Sequence, residues 1–265
     1  MPGEPWLILP TYNEAENIAA ILAAAGGVLA GATADGRFAG AYRILVVDDG
    51  SPDGTGRIAD ELAAHDASIE VLHRTEKSGI GPAYLAGFRH ALANGAGYVM
   101  EMDSDFSHDP ADLARLLAAV DRDSPDSADL ALGSRYVPGG GVRDWGLLRR
   151  FISEGGSTYA RWVLGLQVRD LTGGFKCFRR EVLEAIHFDG VRSQGYAFQV
   201  ELTYRALQMG FRVVEVPIMF TERRAGQSKM TRGIMLEAAW MVPALRRTPP
   251  ARRLATPSEV PDRHL

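Results

Sequence analysis

Residues 98–109 read Tyr-Val-Met-Glu-Met-Asp-Ser-Asp-Phe-Ser-His-Asp, an apolar run that passes straight into Asp103-Ser104-Asp105. In an extended segment, side chains two apart point the same way, about 7 Å from one another at a rise of about 3.3 Å per residue. Two carboxylates so placed can share one hard divalent cation. Mg²⁺ or Mn²⁺ held this way keeps coordination sites open for water and phosphate oxygens, as a diphosphate leaving group requires. An ordinary strand-end turn rich in Asp and Ser has the same composition, so the pair gains meaning from its neighbours.

Two other apolar runs also end in polar punctuation. Pro10-Thr11-Tyr12-Asn13-Glu14 closes the first, and Asp48-Asp49-Gly50-Ser51-Pro52-Asp53-Gly54-Thr55 closes the second. Tyr12 can stack on a base, Glu14 can accept from an exocyclic amine, and a carboxylate after a second strand can take a base edge or ribose hydroxyls. Helix capping competes for the same residues, since Asn13 and Asp53 both suit cap positions. Lys77-Ser78-Gly79-Ile80-Gly81-Pro82 has neither a P-loop nor a Gly-x-Gly-x-x-Gly spacing. It reads as a tight turn into a helix, with Lys77 a candidate nucleotide contact.

The elements that must position these groups alternate. Strands are expected at Trp6–Pro10, Arg43–Asp48, Ile69–His73 and Tyr98–Met102, with helices at Asn13–Ala30, Gly54–His65, Gly81–Asn94 and Asp109–Val120. This βα repetition predicts an α/β fold whose central sheet is mostly parallel with helices on both faces. Ligands of such sheets bind at the carboxyl ends of the strands, near the point where strand order reverses. After residue 129 the rhythm changes. A strand at Asp129–Gly133 precedes the mobile-loop signal Pro138-Gly139-Gly140-Gly141, then a helix near Leu147–Leu164 and irregular chain to Phe178. Phe198–Met209 is helical, Arg212–Val216 is a strand, and Met230–Leu245 is a largely apolar helix. From Thr248 on, Pro, Arg and Ser dominate and a disordered tail is expected.

With 265 residues, 46% of them apolar, the chain can bury a substantial core. Its net charge of −4 carries no basic bias, which argues against nucleic acid as a partner. The single cysteine, Cys177, excludes an intrachain disulfide and a Cys-rich zinc site, and reads as a small core residue in a reducing compartment. No basic start with a long apolar run opens the chain, and no run reaches the ~20 apolar residues of a membrane span.

The motifs at 9–14, 46–55 and 103–108 resemble those of the family 2 glycosyltransferases and their GT-A nucleotide-sugar-binding fold. Gly-Ser-Arg-Tyr-Val-Pro-Gly-Gly-Gly-Val at 133–142, Asp-Leu-Thr-Gly-Gly-Phe-Lys at 170–176, Gly-Tyr-Ala-Phe-Gln-Val-Glu at 195–201, Glu-Val-Pro-Ile at 215–218 and Arg-Arg-Ala-Gly-Gln-Ser-Lys at 223–229 are similar to the dolichol/polyprenol phosphate mannose synthases within that family. The resemblance covers about residues 6–232. It implies transfer of mannose from GDP-mannose to a polyprenyl phosphate, metal-dependent and inverting, with Mg²⁺ or Mn²⁺. It also implies that Pro10, Tyr12, Glu14, Val47 and Asp49 contact the guanosine. Asp103, Ser104 and Asp105 would hold metal and diphosphate, with Asp105 the direct metal ligand and catalytic residue. Arg223 and Lys229 would clamp the donor phosphates, while Arg135, Arg149 and Ser153 would bind the acceptor phosphate. The chain departs from the pattern at Ser107, where some relatives have a metal-binding Gln, and at Glu154, where Arg is expected.

The chemistry fits these residue types. A prenyl phosphate has a second pKa of about 6 and is largely dianionic at neutral pH, so it needs no general base. The protein must instead hold two anions close together, through cations and charge-assisted bonds. His108 stays open between a base and a loop or cap residue, as do Gln199 and Glu201 between capping and catalysis. Residues 1–230 are expected to form the catalytic domain. The 231–247 helix either lies in a membrane interface or packs on the core, and 248–265 forms the tail. A lipid acceptor implies peripheral attachment to the cytoplasmic face of a membrane, with or without an anchoring partner protein. The competing functions are a polyprenyl-phosphate glucosyltransferase using UDP-glucose and a metal-dependent phosphohydrolase.

Overall fold

Two runs, at 5–9 and 44–47, are apolar and buried on both faces, and they pair side by side at the heart of one sheet. The computed structural model describes residues 3–38, 41–143, 145–191, 193, 195–222 and 232–247. The chain begins β1 (Glu4–Thr11), α1 (Ile18–Thr33), β2 (Arg43–Asp48), α2 (Thr55–Ala63), β3 (Ile69–His73), α3 (Ile80–Ala93), β4 (Ala96–Glu101) and α4 (Asp112–Ala119). It continues with β5 (Leu130–Ser134), β6 (Gly141–Val142), α5 (Leu147–Leu164), β7 (Lys176–Arg179) and α6 (Arg180–Ile186). The last elements are α7 (Gly195–Gln208), β8 (Val213–Pro217), β9 (Met219–Phe220) and α8 (Arg232–Arg247). The expected tail at 248–265 lies outside the described residues.

Seven strands form one sheet in the order β3-β2-β1-β4-β7-β5-β8. All neighbours are parallel except β7, which runs antiparallel to both β4 and β5. Alternation along β1 sends Leu7 and Leu9 to one face and Trp6 and Ile8 to the other. The first face is covered by α1 and α4 through Ile18, Ile21, Leu22, Leu113 and Leu117. The second is covered by α3, α6 and α7 through Tyr84, Phe88, Leu183, Phe198 and Leu202. Cys177 is buried in the first cluster, as its reading as a core residue requires.

Several expectations are corrected. The strand β7 begins inside the stretch to Phe178 that reads as irregular, because it is only 4 residues long and opens on a lysine. Helix α1 starts at Ile18 rather than Asn13, since Asn13 adopts a left-handed φ of 58° and Glu14 leads a turn. Helix α4 begins at Asp112, after a turn in which Asp109 Oδ1 accepts the Ala111 N–H at 2.9 Å. The triple glycine is tied into backbone pairing. Its last residue lies in β6, which pairs in parallel with β9, and a Cβ at Gly140 would stand 2.4 Å from the Ser134 carbonyl oxygen. Glycine there answers a close backbone approach. Helix α8 packs on the protein, burying Val242 and Leu245 against Ala160 and Leu164 of α5. Among the described residues, no helix is long and apolar enough to cross a membrane.

The contact of α3 with the sheet is close enough to test. A Cβ at Gly87 would lie 2.5 Å from Ile8 Cγ2 and 3.3 Å from Val47 Cγ2, both in strands that cannot retreat. Gly87→Val should therefore lower stability by roughly 1–3 kcal/mol through overpacking, read as a fall in the urea midpoint at unchanged slope.

Candidate active site

The switch point of the sheet falls at β1, whose two neighbours are β2 and β4. Thr11 is level with Asp48, and Ile8 with Glu101, so the loops after these three strands emerge at one edge. Hydrogen bonds to and from the backbone then join them. The Asp49 N–H donates to the Thr11 carbonyl at 3.0 Å, the Glu14 N–H to Thr55 Oγ1 at 2.9 Å, and Ser104 Oγ to the Pro10 carbonyl at 3.2 Å. Pro10, Tyr12, Glu14, Val47, Asp49, Asp103, Ser104 and Asp105 are thus brought to one place.

The acidic turn is held from inside. Asp105 is buried and its Oδ1 accepts the Ser107 N–H at 3.0 Å. The Asp103 carboxylate is about one-third exposed, with a side-chain exposure of 31%. His108 is neither a solvent-facing base nor a helix cap. Its ring lies between Phe175 and Phe220, with centroids 4.8 and 5.1 Å away, and Nδ1 accepts the Asp103 N–H at 3.4 Å. Burial, joined by the positive charge of Arg135, pushes its pKa down to about 4, against the pull of Asp105 and Asp170. The ring is therefore a neutral acceptor that braces the turn. The buried Ser107 hydroxyl has no hydrogen-bond partner among the described residues.

On the nucleotide side, Asp49 already has partners. Arg74 Nη1 lies 2.5 Å from Oδ1, and the Ser78 N–H donates to Oδ2 at 3.3 Å. These bonds draw in the Lys77 turn, whose Nζ lies 4.0 Å over the Tyr12 ring. Gly79, with φ of 94°, makes that turn possible. Asp48, which sequence reading left in the same acidic run, is buried and accepts the Ser51 N–H at 3.2 Å. Glu14 accepts from Asn17 Nδ2 at 3.0 Å.

The second cluster forms at the end of β5. Arg135 is buried, and Asp170 grips its Nε and Nη2 at 2.7 Å each while Thr172 Oγ1 accepts from Nη2 at 2.9 Å. The guanidinium also lies 5.2, 5.6 and 5.4 Å from the rings of Tyr136, Trp145 and Phe220. Asp170 was not singled out as a site residue, yet it fixes where this charge sits. Tyr136 Oη donates to Ser153 Oγ at 2.8 Å, so Ser153 stands beside the same cluster. The Arg149 side chain, and Arg223 and Lys229 altogether, lie outside the described residues.

A third group was visible in sequence only as charges within apolar runs. Glu101 of β4 is level with Lys176 of β7, and both are fully buried. Lys176 Nζ donates to the Gln199 carbonyl at 2.9 Å and to its side-chain oxygen, tying α7 to the sheet beneath the acidic turn. Burial pushes Glu101 up to about 7, opposed by Lys176 and Gln199, and pushes Lys176 down to about 8, opposed by Glu101 and Asp170. Glu201 is occupied by Ser193 and by Arg205 Nε at 2.9 Å, which makes it a structural brace. Among the described residues, no group of three or more His, Cys, Asp or Glu could hold a metal ion.

A largely parallel sheet with one antiparallel strand and acidic turns at its switch point is the layout of a nucleotide-sugar glycosyltransferase domain. The chain belongs to glycosyl transferase family 2, whose family profile matches residues 6–187. It is 50% identical over 240 residues to the polyprenol monophosphomannose synthase of Mycolicibacterium smegmatis, covering 89% of this chain and 84% of that protein. It is 48% identical over 231 residues to the undecaprenyl-phosphate mannosyltransferase of Micrococcus luteus, covering 87% and 89%. Among solved structures, the fold is similar to that of Mycobacterium tuberculosis glucosyl-3-phosphoglycerate synthase in complex with Mn²⁺, UDP and glucosyl-3-phosphoglycerate. That match has a TM-score of 0.65 and 18% identity over 93% of this chain and 81% of that one. A Pyrobaculum calidifontis mannosyltransferase in complex with GDP-Man and Mn²⁺ matches with a TM-score of 0.54 and 18% identity, over 93% and 74%. The GT-A fold expected from the motifs is the fold observed.

Two consequences are measurable. Asp170→Ala leaves the Arg135 charge buried without its carboxylate and should cost about 3–5 kcal/mol by urea unfolding, with Asp170→Leu combined with Arg135→Met recovering part of it. For His108, the folded pKa of about 4 lies below the unfolded value of 6.5. The unfolded state therefore binds the extra proton in that interval, and stability present above pH 6.5 declines as pH falls toward 4. His108→Gln should flatten that decline when the unfolding free energy is followed across the interval.

Proposed function

We propose that this chain transfers mannose from GDP-mannose to a polyprenyl phosphate, inverting the anomeric carbon to give a polyprenyl β-mannosyl phosphate. The observation that carries this reading is near-full-length identity, 50% and 48%, to two enzymes named for mannosyl transfer to polyprenyl-type phosphates. The acidic turn at the switch point gives that identity a chemical location.

Asp105 and Asp103 offer hard oxygen donors that fit Mg²⁺ or Mn²⁺, and the Ser107 hydroxyl, without a partner among the described residues, fits a hydrated shell. What a bound cation supplies is charge neutralisation at the leaving diphosphate. The protein's own residues do the rest. Tyr12, Glu14, Val47 and Asp49 line the guanosine side with Pro10, Asp49 sharing its oxygens with Arg74 and Ser78. Arg223 and Lys229 clamp the donor phosphates. Arg149 and Ser153 take the acceptor phosphate, with Arg135 contributing a fixed positive charge from its cradle on Asp170. No residue needs to remove a proton, because the dianionic acceptor is already a nucleophile. The neutral His108 accordingly holds the turn in place and moves no proton.

In this reading residues 1–230 form the catalytic unit and the helix within 231–247 meets the membrane that carries the acceptor. The enzyme works as a peripheral protein on the cytoplasmic face, alone or beside a membrane-anchoring partner. The test is transfer of radiolabel from GDP-mannose into an organic-extractable lipid, with polyprenyl phosphate and either metal, and UDP-glucose run in parallel. A mannolipid stable to mild base and labile to mild acid is expected. Label from UDP-glucose alone would move the sugar, and no lipid product from either donor would sink the reading. Asp105→Ala should lower transfer by roughly a thousandfold while leaving the urea midpoint near that of the parent. Substantial transfer by that variant at saturating metal would remove Asp105 from its role.

A further inference from the structure

Two hydroxyl contacts tie α5 to the Arg135 cluster, and they differ in what they hold. Ser153 and Ser157 stand one helical turn apart, so both hydroxyls lie on the same side of α5. Ser157 is buried, with its Oγ 3.2 Å from Thr172 Oγ1, the oxygen that accepts from Arg135 Nη2. Ser153 is half-buried and accepts the Tyr136 hydroxyl proton at 2.8 Å, across 17 positions of sequence. The first contact is sealed inside the protein. The second remains open on one side.

Tyr136 is held at its backbone and at its ring. Its N–H donates to Ser134 Oγ at 3.3 Å, and that hydroxyl donates in turn to Glu215 Oε1 at 2.7 Å. The same Glu215 oxygen accepts the Asp170 N–H at 2.9 Å. One carboxylate of β8 therefore sets both the tyrosine and the aspartate that grips Arg135. The Arg135 guanidinium lies 5.2 Å from the centroid of the Tyr136 ring. The phenol thus reaches α5 from a support that the rest of the cluster has already fixed.

A serine hydroxyl carries one proton and two lone pairs. The Tyr136 O–H fills one lone pair of Ser153 Oγ, and no other hydrogen bond to that oxygen forms among the described residues. Ser153 therefore keeps its own proton, directed away from the tyrosine. A serine inside a helix otherwise turns its proton back onto the carbonyl of the preceding turn. That distinction matters for a dianionic phosphate, which can only accept. Hydrogen bonds in a chain polarise one another, and the bond to a charged oxygen at the end gains most.

We propose that Tyr136 is a positioning residue for the acceptor: its hydroxyl sets the Ser153 O–H as a donor to the acceptor phosphate. The chain runs from the Tyr136 O–H to the Ser153 O–H to a phosphate oxygen. It rests on the reading of Ser153 as a contact of the acceptor phosphate, and it adds the group that gives Ser153 its direction. Glu215, through Ser134, holds the start of the chain in register with the Arg135 and Asp170 pair.

The experiment is calorimetric titration of the full-length protein with geranyl phosphate, a short prenyl phosphate, comparing the parent with Tyr136→Phe, Ser153→Ala and the double variant. Transfer from GDP-mannose to the same phosphate is followed alongside. Tyr136→Phe should weaken binding and raise the acceptor KM about five- to tenfold, the effect of weakening one charge-assisted bond. The donor KM and kcat should stay within about twofold of the parent, and the urea midpoint near it. Ser153→Ala should weaken binding at least as much, and the double variant should be no worse than Ser153→Ala alone, because both changes break one chain. Unchanged binding by Tyr136→Phe, additive losses in the double variant, or a donor KM and kcat that change with the acceptor KM would each overturn the positioning role. A parent that binds no geranyl phosphate overturns it as well. A parent that binds geranyl phosphate through Tyr136 and Ser153, yet transfers no mannose to any prenyl phosphate, would keep the chain and overturn the mannosyl transfer.

Discussion

A carboxylate can be buried at a strand end only if hydrogen bonds or cations replace its water. Most of what surrounds the site answers that requirement. Asp48 takes Ser51, Asp49 takes Arg74 and Ser78, Asp105 takes the Ser107 N–H, and Asp170 takes Arg135. Each of these bonds also closes a loop. The acidic residues thus order the loops that the sheet merely brings near, and the resulting pocket edge is fixed before any anion arrives.

Two positive centres show how differently the same charge can be used. Arg135 is paired and caged by aromatic rings, so its charge presents a constant field at the end of β5. Lys176 is buried beneath the acidic turn, where its bonds to Gln199 connect α7 to the sheet. Its charge is largely spent on structure and on the facing Glu101. Replacing hydration by such partners is costly, and so these groups are confined to the strand ends closest to the chemistry.

Much of the sheet was legible because β1, β2, β3 and β4 are bounded apolar runs followed by amphipathic helices, and the βα alternation admits few topologies. The acidic turn and the two nucleotide-type loops were legible for the same reason, as polar ends of apolar strands. β7 was not, because a strand that pairs on both edges can carry a lysine when the partner strand offers a glutamate, and no local pattern reports that. The glycine run at 139–141 reads locally as flexibility, whereas the neighbouring Ser134 carbonyl is the reason for Gly140. His108 stays open between a base and a loop or cap residue until Phe175 and Phe220, distant in sequence, close over it.

The sequence by itself determined the class of fold, the family and the identity of the residues at the strand ends, since periodicity and contiguous motifs are local properties. Tertiary structure alone decided which of those residues meet and in what state. The partnership of Arg135 with Asp170 spans 35 positions and that of Glu101 with Lys176 is set by strand register. The neutrality of His108 follows from burial that only the assembled fold produces. Desolvation and ion pairing depend on three-dimensional neighbours, and for these groups nearly all of those neighbours come from elsewhere in the chain.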